Sequence, residues 1–356
     1  MVHVQSISLT QFRNYDFVRF AFTERVVAIA GKNGLGKTNL LDALYYCCFT
    51  KSYFSSSDQQ VSQFGKEGFR IEAQINEAPL TLVFRGTGKK ELAVGGIPCA
   101  KMSQHIGRFP AVMIAPDDVE LINGSSEIRR RFLDTTLSQL SAEYLQSLIR
   151  YNKVLQQRNS FLKRCAETGY RDEALLDILD SQLAESGTVV FEERKRYCAA
   201  FIPIVQRFYL EIARNDELVS LLYDSPLETQ SFPELLAANR SRDLLLQRTS
   251  SGPHRDELEL QLNGQPFRQI ASQGQRKSML FSLKLAEYEL LKSGMNKAPL
   301  LLLDDIFEKL DSDRMQHLLN WICLQDTAQV FITDTHPERV KEALDATRQA
   351  YQLITL

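Results

Sequence analysis

The stretch between residues 26 and 42 has the residue types and spacing of a phosphate-binding loop. Gly31, Gly36, Lys37 and Thr38 satisfy the pattern G-x-x-x-x-G-K-[ST]. Glycines let backbone N–H groups approach phosphates, a lysine ammonium can reach the phosphate oxygens, and a threonine hydroxyl can bind Mg²⁺. We therefore predict Lys37 as a catalytic residue and Thr38 as a metal ligand. The predicted cofactor-binding residues of the loop are Gly31, Lys32, Asn33, Gly34, Leu35, Gly36, Lys37, Thr38 and Asn39.

A second candidate for chemistry is a pair of carboxylates, Asp304 and Asp305, directly after four leucines. A carboxylate at the end of a buried strand can hold Mg²⁺, usually through water, and a second one can orient or deprotonate an attacking water. We predict Asp304 as the metal ligand and Asp305 as the group that activates water. The alternative is a pair of acids that merely face solvent, and the presence of the phosphate loop favours the metal site.

The third candidate is the Ser-Gln-Gly-Gln run at 272–275, which begins a predicted helix. Free N–H groups and a hydroxyl at a helix start suit a γ-phosphate. Alone, this run would indicate only a capped helix, but it lies upstream of the acidic strand. We predict Ser272 as catalytic and Gln275 as cofactor-binding.

Apolar strands that alternate with helices position these groups. The runs at 26–30, 300–303 and 329–333 are almost entirely apolar, and helices are predicted after residue 40 and over 276–292 and 314–323. This order indicates a parallel sheet. Two short runs of mixed alternation at 4–9 and 17–22 predict a hairpin that leads into the strand at 26–30. Period-two alternation predicts an additional antiparallel sheet from strands at 69–75, 80–84 and 91–94.

The middle of the chain is helical. One continuous apolar stripe runs from Leu133 to Leu162, Thr168 and Gly169 interrupt it, and a second helical run covers 172–215. Two long helices joined by a short turn predict an antiparallel arm, followed by a shorter helix over 233–247. The predicted division is 1–115 and 251–356 for the two halves of an α/β core, with an inserted helical arm over 116–250.

Composition limits the classes of protein that fit. The 356 residues carry a net charge of −2, with 44% hydrophobic and 24% charged residues. No apolar run approaches the ~18 residues of a membrane helix, and the start of the sequence lacks a secretory signal, so we expect a cytoplasmic protein. The six cysteines form no C-x-x-C pair, which indicates reduced thiols. The near-neutral net charge means that any nucleic acid must be bound by local basic patches.

Taken in order, several motifs resemble those of ABC-type ATPase heads. They are the phosphate loop, the Ser-Gln-Gly-Gln run, the Leu-Leu-Leu-Asp-Asp strand and the Lys-Leu-Asp-Ser run at 309–312. Further motifs resemble specifically the RecF family of DNA replication and repair proteins, whose heads are related to SMC proteins. These motifs lie at 12–15, 127–134, 252–256 and 271–276. The resemblance spans essentially the whole chain.

This resemblance implies a P-loop ATPase head that uses ATP and Mg²⁺ and dimerises when ATP binds. Two heads would enclose two ATP molecules, with Ser272 of one chain on the γ-phosphate held by Lys37 of the other. Asp311 would lie across that interface near the partner's loop. By the same resemblance, Arg13 would contact the nucleotide.

The resemblance also implies partners. Members of the family bind duplex DNA near single-strand gaps and single-strand/duplex junctions, and with RecO and RecR they help to load RecA. The expected activity is slow ATP hydrolysis that acts as a DNA-binding switch away from membranes.

Two positions depart from the ABC pattern. A histidine commonly follows the last core strand directly, but here Asp334 follows Thr333 and the nearest histidine is His336. His336 is either the γ-phosphate switch or part of a helix-start turn. No glutamine can be assigned to the metal-sensing loop before the arm, where Asp117 and Asp118 stand.

Basic residues that could contact DNA are spread over the arm and the small sheet. For most of them a solvated helix face, paired with acids such as Glu192 and Glu193, is the competing explanation. Arg255 could couple the signature to the sheet or brace a turn, and stays unassigned. The candidates are Lys89, Lys90, Arg129, Arg130, Arg131, Lys163, Arg164, Arg194, Lys195 and Arg196.

Two other functions share some of these motifs. The energising ATPase subunit of a membrane transporter has the same head motifs, but the arm between Lys37 and Ser272 is far longer than such subunits usually insert. A small-molecule kinase would explain the phosphate loop and would leave the run at 272–275 and the arm without a purpose.

Overall fold

The computed structural model describes residues 1–169, 171–213, 217–308, 312–325 and 327–356. Within them, contacts group the chain into two compact units. Unit 1 comprises Met1–Asp118, Glu211–Ala213 and Lys277–Leu356, and unit 2 comprises Val119–Leu210 and Arg214–Arg276. The division at residues 115 and 250 stays a prediction.

Strands and helices occur in the following order along the chain. The strands are β1 Val4–Phe12, β2 Tyr15–Ala21, β3 Val26–Ala30, β4 Phe69–Ile75, β5 Ala78–Phe84, β6 Lys90–Val94, β7 Ile97–Pro98, β8 Ala111–Ile114, β9 Val219–Asp224, β10 Glu257–Leu262, β11 Gln265–Pro266, β12 Leu300–Leu303, β13 Val330–Asp334 and β14 Tyr351–Thr355. The helices are α1 Lys37–Phe49, α2 Glu120–Asn123, α3 Ser126–Leu140, α4 Ala142–Thr168, α5 Glu173–Ala213, α6 Phe232–Leu246, α7 Phe267–Ile270, α8 Gln273–Met295, α9 Ser312–Asn320 and α10 Pro337–Asp345.

The parallel sheet of unit 1 has the strand order β14-β3-β13-β12-β8, and each neighbouring pair is parallel. All residues of β3, β12 and β13 are buried. Strands buried on both faces appear in a sequence as continuous apolar runs, which is why the parallel sheet could be predicted. β8 and β14 were not predicted from the sequence.

The antiparallel sheet of unit 1 has the order β2-β1-β4-β5-β6-β7. It confirms the predicted antiparallel strands and the β1–β2 hairpin, and it joins the two through the pairing of β1 with β4. Its inner face alternates with period two, as in β4, where Phe69, Ile71, Ala73 and Ile75 are buried. These residues share one hydrophobic core with α1 and with residues of the parallel sheet. The core therefore fixes α1, which follows the phosphate loop, between two sheets.

The helical part of unit 2 contains the predicted antiparallel pair of long helices. The first predicted helix, however, is divided into two, α3 and α4. α3 ends at Leu140, and the Ser141 side chain caps α4 by accepting a 3.1 Å hydrogen bond from Tyr144 N. The apolar stripe continues across this break, so the sequence did not reveal it. Arg150 binds Glu185 and Arg158 binds Asp180, so positions that rise along α4 fall along α5.

Unit 2 also contains an antiparallel sheet in the order β11-β10-β9. The β10–β11 hairpin turns at Asn263 and Gly264, as predicted. β9 was missed, although its buried residues Val219, Leu221 and Tyr223 alternate with more exposed ones. Across the described residues, none of the helices combines the length and apolarity needed to cross a lipid bilayer.

Candidate functional site

The phosphate-loop pattern lies between a buried strand and a helix, as predicted. β3 ends at Ala30 and α1 begins at Lys37. Gly34 and Gly36 have φ values of 85° and 108°, in the left-handed region that favours glycine. A Cβ atom at Gly36 would lie 2.6 Å from the Tyr15 hydroxyl oxygen, so this position also excludes a side chain for lack of space.

The turn between β1 and β2 packs against this loop. The Tyr15 hydroxyl donates a 3.0 Å hydrogen bond to Gly36 O, and Asn39 Nδ2 donates a 2.7 Å bond to Asn14 Oδ1. Residues 32–35 are exposed at the tip of the loop. The loop is therefore supported from one side and open at its tip.

Lys37 is buried and its ammonium is held by the loop itself. Nζ donates to Gly31 O at 2.7 Å and to Lys32 O at 3.2 Å. A phosphate in the loop would replace these carbonyl oxygens as the acceptor. The role of Lys37 as a phosphate ligand stays a prediction.

Asp304 lies next to the loop, at the carboxyl end of β12. The Thr38 hydroxyl lies 3.1 and 3.0 Å from its two carboxylate oxygens, and the Thr333 hydroxyl donates to Oδ1 at 2.6 Å. Burial raises the pKa of Asp304 to about 6. The two residues predicted as metal ligands thus meet through a hydrogen bond.

Asp305 is half-buried and has a φ of 45°, which is uncommon for a residue other than glycine. Its backbone N–H donates to the Thr333 hydroxyl at 2.9 Å. Thr333 therefore holds both acidic residues, a role that was not predicted from the sequence. A hydroxyl residue within the otherwise apolar run 330–333 was the available signal. The role of Asp305 in water activation stays a prediction.

The last residue of β13, Asp334, is buried and pairs with Arg339, whose side chain is 36% exposed. Asp334 accepts bonds of 2.8 and 2.7 Å from Arg339 Nη2, and its carboxylate also accepts from His336 N at 2.6 Å. The His336 side chain is 68% exposed and His336 is the N-cap residue of α10. An exposed side chain at the start of α10 fits both the γ-phosphate switch and the helix-start turn. The switch role of His336 therefore stays a prediction.

Arg13 is engaged within unit 1. Its Nη2 donates to Asp42 Oδ2 at 2.7 Å and to Ser52 Oγ at 2.9 Å, and its side chain is 19% exposed. Asp42 lies on α1 and is fully buried. Arg13 braces the helix that follows the loop, and its contact with a nucleotide stays a prediction.

Asp118, in the region of the missing metal-sensing glutamine, belongs to a buried polar cluster. Its carboxylate accepts from the Tyr53 hydroxyl and from Ala115 N at 2.8 Å, and Lys284 Nζ lies 3.5 Å away. Lys284 is on α8 and is 4% exposed. These contacts join α8 to the end of β8 within unit 1.

The run at 272–275 forms a reciprocal cap at the start of α8. Ser272 N donates to Gln275 Oε1 at 2.6 Å, and Gln275 N donates to Ser272 Oγ at 3.2 Å. Gln275 Nε2 also donates to Glu217 Oε1 at 2.7 Å. Ser272 is exposed, so the cap leaves its hydroxyl accessible. The catalytic role of Ser272 and the nucleotide role of Gln275 stay predictions, and Asp311 lies outside the described residues.

Comparisons with known proteins assign the chain to a family. The model of the RecF/RecN/SMC N terminal domain matches residues 3–353. The DNA replication and repair protein RecF of Cytophaga hutchinsonii is 40% identical over 95% of this chain and 90% of its own length. The protein of the same name from Flavobacterium johnsoniae is 39% identical over 100% of both chains. The chain belongs to the RecF family.

Solved structures support the same conclusion at the level of the fold. A structure of the recombination mediator protein RecF-ATP in the RecFOR pathway is 29% identical and superimposes with a TM-score of 0.87, over 94% of this chain and 92% of that one. An Smc head bound to the C-winged helix domain of ScpA has a TM-score of 0.56 at 14% identity, covers 97% of this chain and 91% of that one, and is similar in fold alone. The predicted ABC-type ATPase head fold is confirmed.

Several basic residues proposed as DNA contacts are bound within unit 2. Arg129 pairs with Glu257 at 2.6 Å, and Arg130 Nη1 donates to Asp256 O at 2.7 Å. Arg194 is 3% exposed and pairs with Asp134 at 2.8 Å. Including Arg194 among the DNA candidates was wrong, because its guanidinium is inside the fold.

The remaining candidates on α3 and α5 form exposed ion pairs. Arg131 pairs with Glu127 at 3.2 Å, Arg196 with Glu193 at 2.9 Å, and Lys195 lies 3.6 Å from Glu228. These pairs fit the solvated-face explanation. Exposed pairs contribute at most about 1 kcal/mol, so an incoming phosphate could replace the acid at low cost.

Proposed function

We propose that this chain is an ATP-dependent DNA-binding protein of recombinational repair and replication restart. ATP would drive dimerisation on duplex DNA near single-strand gaps and junctions, and slow hydrolysis would release it. With RecO and RecR it would assist the loading of RecA. The names of its relatives, which include a recombination mediator protein of the RecFOR pathway, support this assignment.

The observation that carries the proposal is the hydrogen bond between Thr38 and Asp304. It joins the helix start of a phosphate loop to the carboxylate after β12, residues that are 266 positions apart. Phosphoryl transfer depends on positioning and on neutralising charge, and these two groups are the types that hold the metal of a nucleoside triphosphate.

The donor set at this place fits Mg²⁺. Thr38 and Asp304 would hold the ion, which would neutralise charge on the phosphate oxygens during hydrolysis. Among the described residues, no group of three or more His, Cys, Asp and Glu side chains could hold a metal ion. The other ligands would therefore be phosphate oxygens and water, as Mg²⁺ prefers in such sites.

The remaining steps fall to side chains of the chain. Lys37 would exchange the carbonyls of Gly31 and Lys32 for phosphate oxygens, and Asp305 would orient the attacking water. Aspartate is shorter than the glutamate common at this position, so we expect slow turnover that duplex DNA accelerates. Ser272, exposed at the start of α8, would contact the γ-phosphate bound by a second copy.

The test is the oligomeric state with ATP and Mg²⁺, measured by size-exclusion chromatography with light scattering. Asp305→Asn should slow hydrolysis and accumulate an ATP-bound dimer. The double variant that combines Asp305→Asn with Ser272→Arg should still bind ATP but should not dimerise. The bulky cation at position 272 would obstruct the contact with the partner's nucleotide.

A matched control is Ser293→Arg, which adds the same charge at an exposed position near the other end of α8. This variant should still dimerise. If the Asp305→Asn protein stays monomeric with ATP, the dimer proposal is wrong. Steady-state hydrolysis that is fast and unaffected by duplex DNA would exclude the switch.

A further inference from the structure

The turn at 252–256 is held rigidly by residues of unit 2. It contains a short 3₁₀ helix, Pro253–Arg255, just before β10. Gly252 has a φ of 128°, and a Cβ there would lie 2.5 Å from Phe232 Cζ. No other residue type fits this position, so the entry into the turn is fixed by both conformation and space.

Two side chains of neighbouring helices bind the middle of the turn. Pro253 O accepts a 2.7 Å hydrogen bond from the buried Arg194 Nη1. The ring of His254 lies between the Tyr151 hydroxyl, 2.6 Å from Nδ1, and Thr249 O, 3.1 Å from Nε2. Since a carbonyl only accepts, Nε2 carries the proton and Nδ1 accepts from Tyr151.

The last residue of the turn is equally fixed. Asp256 is fully buried, its carboxylate accepts from the Tyr223 hydroxyl, and its carbonyl accepts from Arg130 Nη1 at 2.7 Å. Each residue of the turn except Arg255 is therefore buried or hydrogen-bonded through its side chain or carbonyl.

Arg255 is the exposed member of the turn. Within the described residues its side chain has no hydrogen bond or ion pair, and its backbone N–H donates to Gly252 O at 2.8 Å. Burial, together with the charges of Arg255 and Arg130, lowers the pKa of His254 to about 4, so both guanidinium groups act on the same ring. Burial and the charge of Arg194 lower the pKa of Arg130, and the carboxylates of Glu257, Asp256 and Glu127 oppose that shift.

A guanidinium on a rigid turn suits an anion. The planar fork of arginine matches phosphate oxygens, and a fixed backbone reduces the entropy lost on binding. Several buried contacts thus hold one exposed cation in place.

Unit 2 carries other exposed cations on the two helices that bind the turn. Arg131 and Lys195 are exposed, and each directly follows an arginine that binds the turn, Arg130 on α3 and Arg194 on α5. Their acidic partners are exposed and can be exchanged for phosphates. A nucleic-acid backbone offers many phosphates along its length, so it can contact several cations of unit 2 as well as Arg255.

We propose that Arg255 binds a backbone phosphate of duplex DNA. This inference rests on the proposed DNA-binding function and assigns to it a residue of unit 2. Phosphate contacts position a protein on the duplex without reading its sequence, so Arg255 would contribute to affinity for any duplex.

The experiment is a salt titration of binding to a fluorescently labelled blunt duplex, with ATP and Mg²⁺ present. Each phosphate contact contributes about 0.9 to the slope of log K against log salt. Arg255→Ala should reduce the slope by about that amount and weaken binding roughly tenfold near 0.1 M salt. Arg255→Lys should keep the slope and bind more weakly than the wild type, because it keeps the charge but not the fork.

The matched control is Arg242→Ala, which removes an exposed arginine from α6. It should keep the wild-type slope, and thermal unfolding should be the same for all three variants. An unchanged slope in Arg255→Ala would overturn the inference. The inference would also be wrong if Arg255→Ala bound DNA as the wild type does but no longer dimerised with ATP in the absence of DNA. That result would identify the phosphate bound by Arg255 as that of a nucleotide. A wild-type protein that binds no duplex would instead overturn the proposed function.

Discussion

Two buried aspartates, one in each unit, are stabilised in different ways. Asp243 in unit 2 is fully buried, pairs with Arg158 Nη1 at 2.7 Å and accepts from Ser250 N at 2.9 Å. Asp304 in unit 1 is 3% exposed, and within the described residues its carboxylate bonds to the hydroxyls of Thr38 and Thr333 and to no cationic side chain. Only the first carboxylate has its charge compensated by a bonded partner.

This difference distinguishes a structural carboxylate from one available for binding. A buried charge is costly unless it is paired, and at Asp304 that cost appears as a pKa raised to about 6. A bound cation would supply the missing compensation. Perturbed carboxylates at the end of a strand next to a phosphate loop are therefore better candidates for chemistry than buried ion pairs.

The largest expected effect comes from removing the cation of the compensated site. Arg158→Ala leaves the fully buried Asp243 without a cationic partner and Asp180 with Arg240 alone, and should lower the free energy of unfolding by about 3–5 kcal/mol. The control is Arg150→Ala, whose pair with Glu185 is 50% and 64% exposed. It should change stability by less than about 1 kcal/mol in a denaturant titration. Equal effects of the two substitutions would contradict the comparison.

The second prediction exchanges each aspartate for asparagine. Asp243→Asn should lower the free energy of unfolding by about 3 kcal/mol, because Arg158 loses a charged partner. Asp304→Asn should raise it by about 3 kcal/mol at pH 7 without ligands, since it removes a buried charge that has no bonded cation and keeps an acceptor for the hydroxyls. The same variant should lose most of its ATP hydrolysis. Destabilisation by Asp304→Asn would show that the carboxylate is already compensated.

The smallest expected effect is the change in the free energy of unfolding per pH unit that follows from the ionisation of Asp304. Its pKa rises from 3.8 in the unfolded chain to about 6 in the fold, so the folded state binds the proton more tightly. The extra stability is fully present below pH 3.8 and is lost as the pH rises through about 6. Relative to Asp304→Asn, the wild type should lose about 1.4 kcal/mol per pH unit between about pH 4 and 6 and level off above that.

A measurement of the unfolding free energy of both proteins from pH 5 to 8 checks this sign. The wild-type affinity for Mg²⁺ and ATP should also decrease below about pH 6, because protonation removes the charge that binds the ion. A difference that is constant across the range would place the pKa of Asp304 near its ordinary value.

Local patterns predicted most of the elements but not all of their limits. Continuous apolar runs gave β3, β12 and β13, and alternation gave β4, β5 and β6, because period and burial are recorded in the sequence itself. The break between α3 and α4 was missed because Ser141 caps α4 without interrupting the apolar stripe. β9 has a clear alternation but stands next to residues with a helical pattern.

The sequence by itself determined the phosphate loop, the acidic pair after a buried strand and the capped start of α8. Each depends on residues within a few positions of one another, where backbone geometry alone fixes their arrangement. Only the tertiary structure decided that Thr333 holds both acids, that Arg13 binds Asp42 and that Arg194 is internal. These partners lie 28 to 60 positions apart along the chain, and strand order and helix packing choose them. Whether a charged side chain is compensated is therefore a property of the fold, and in this protein it separates the candidate metal ligand from the structural ion pairs.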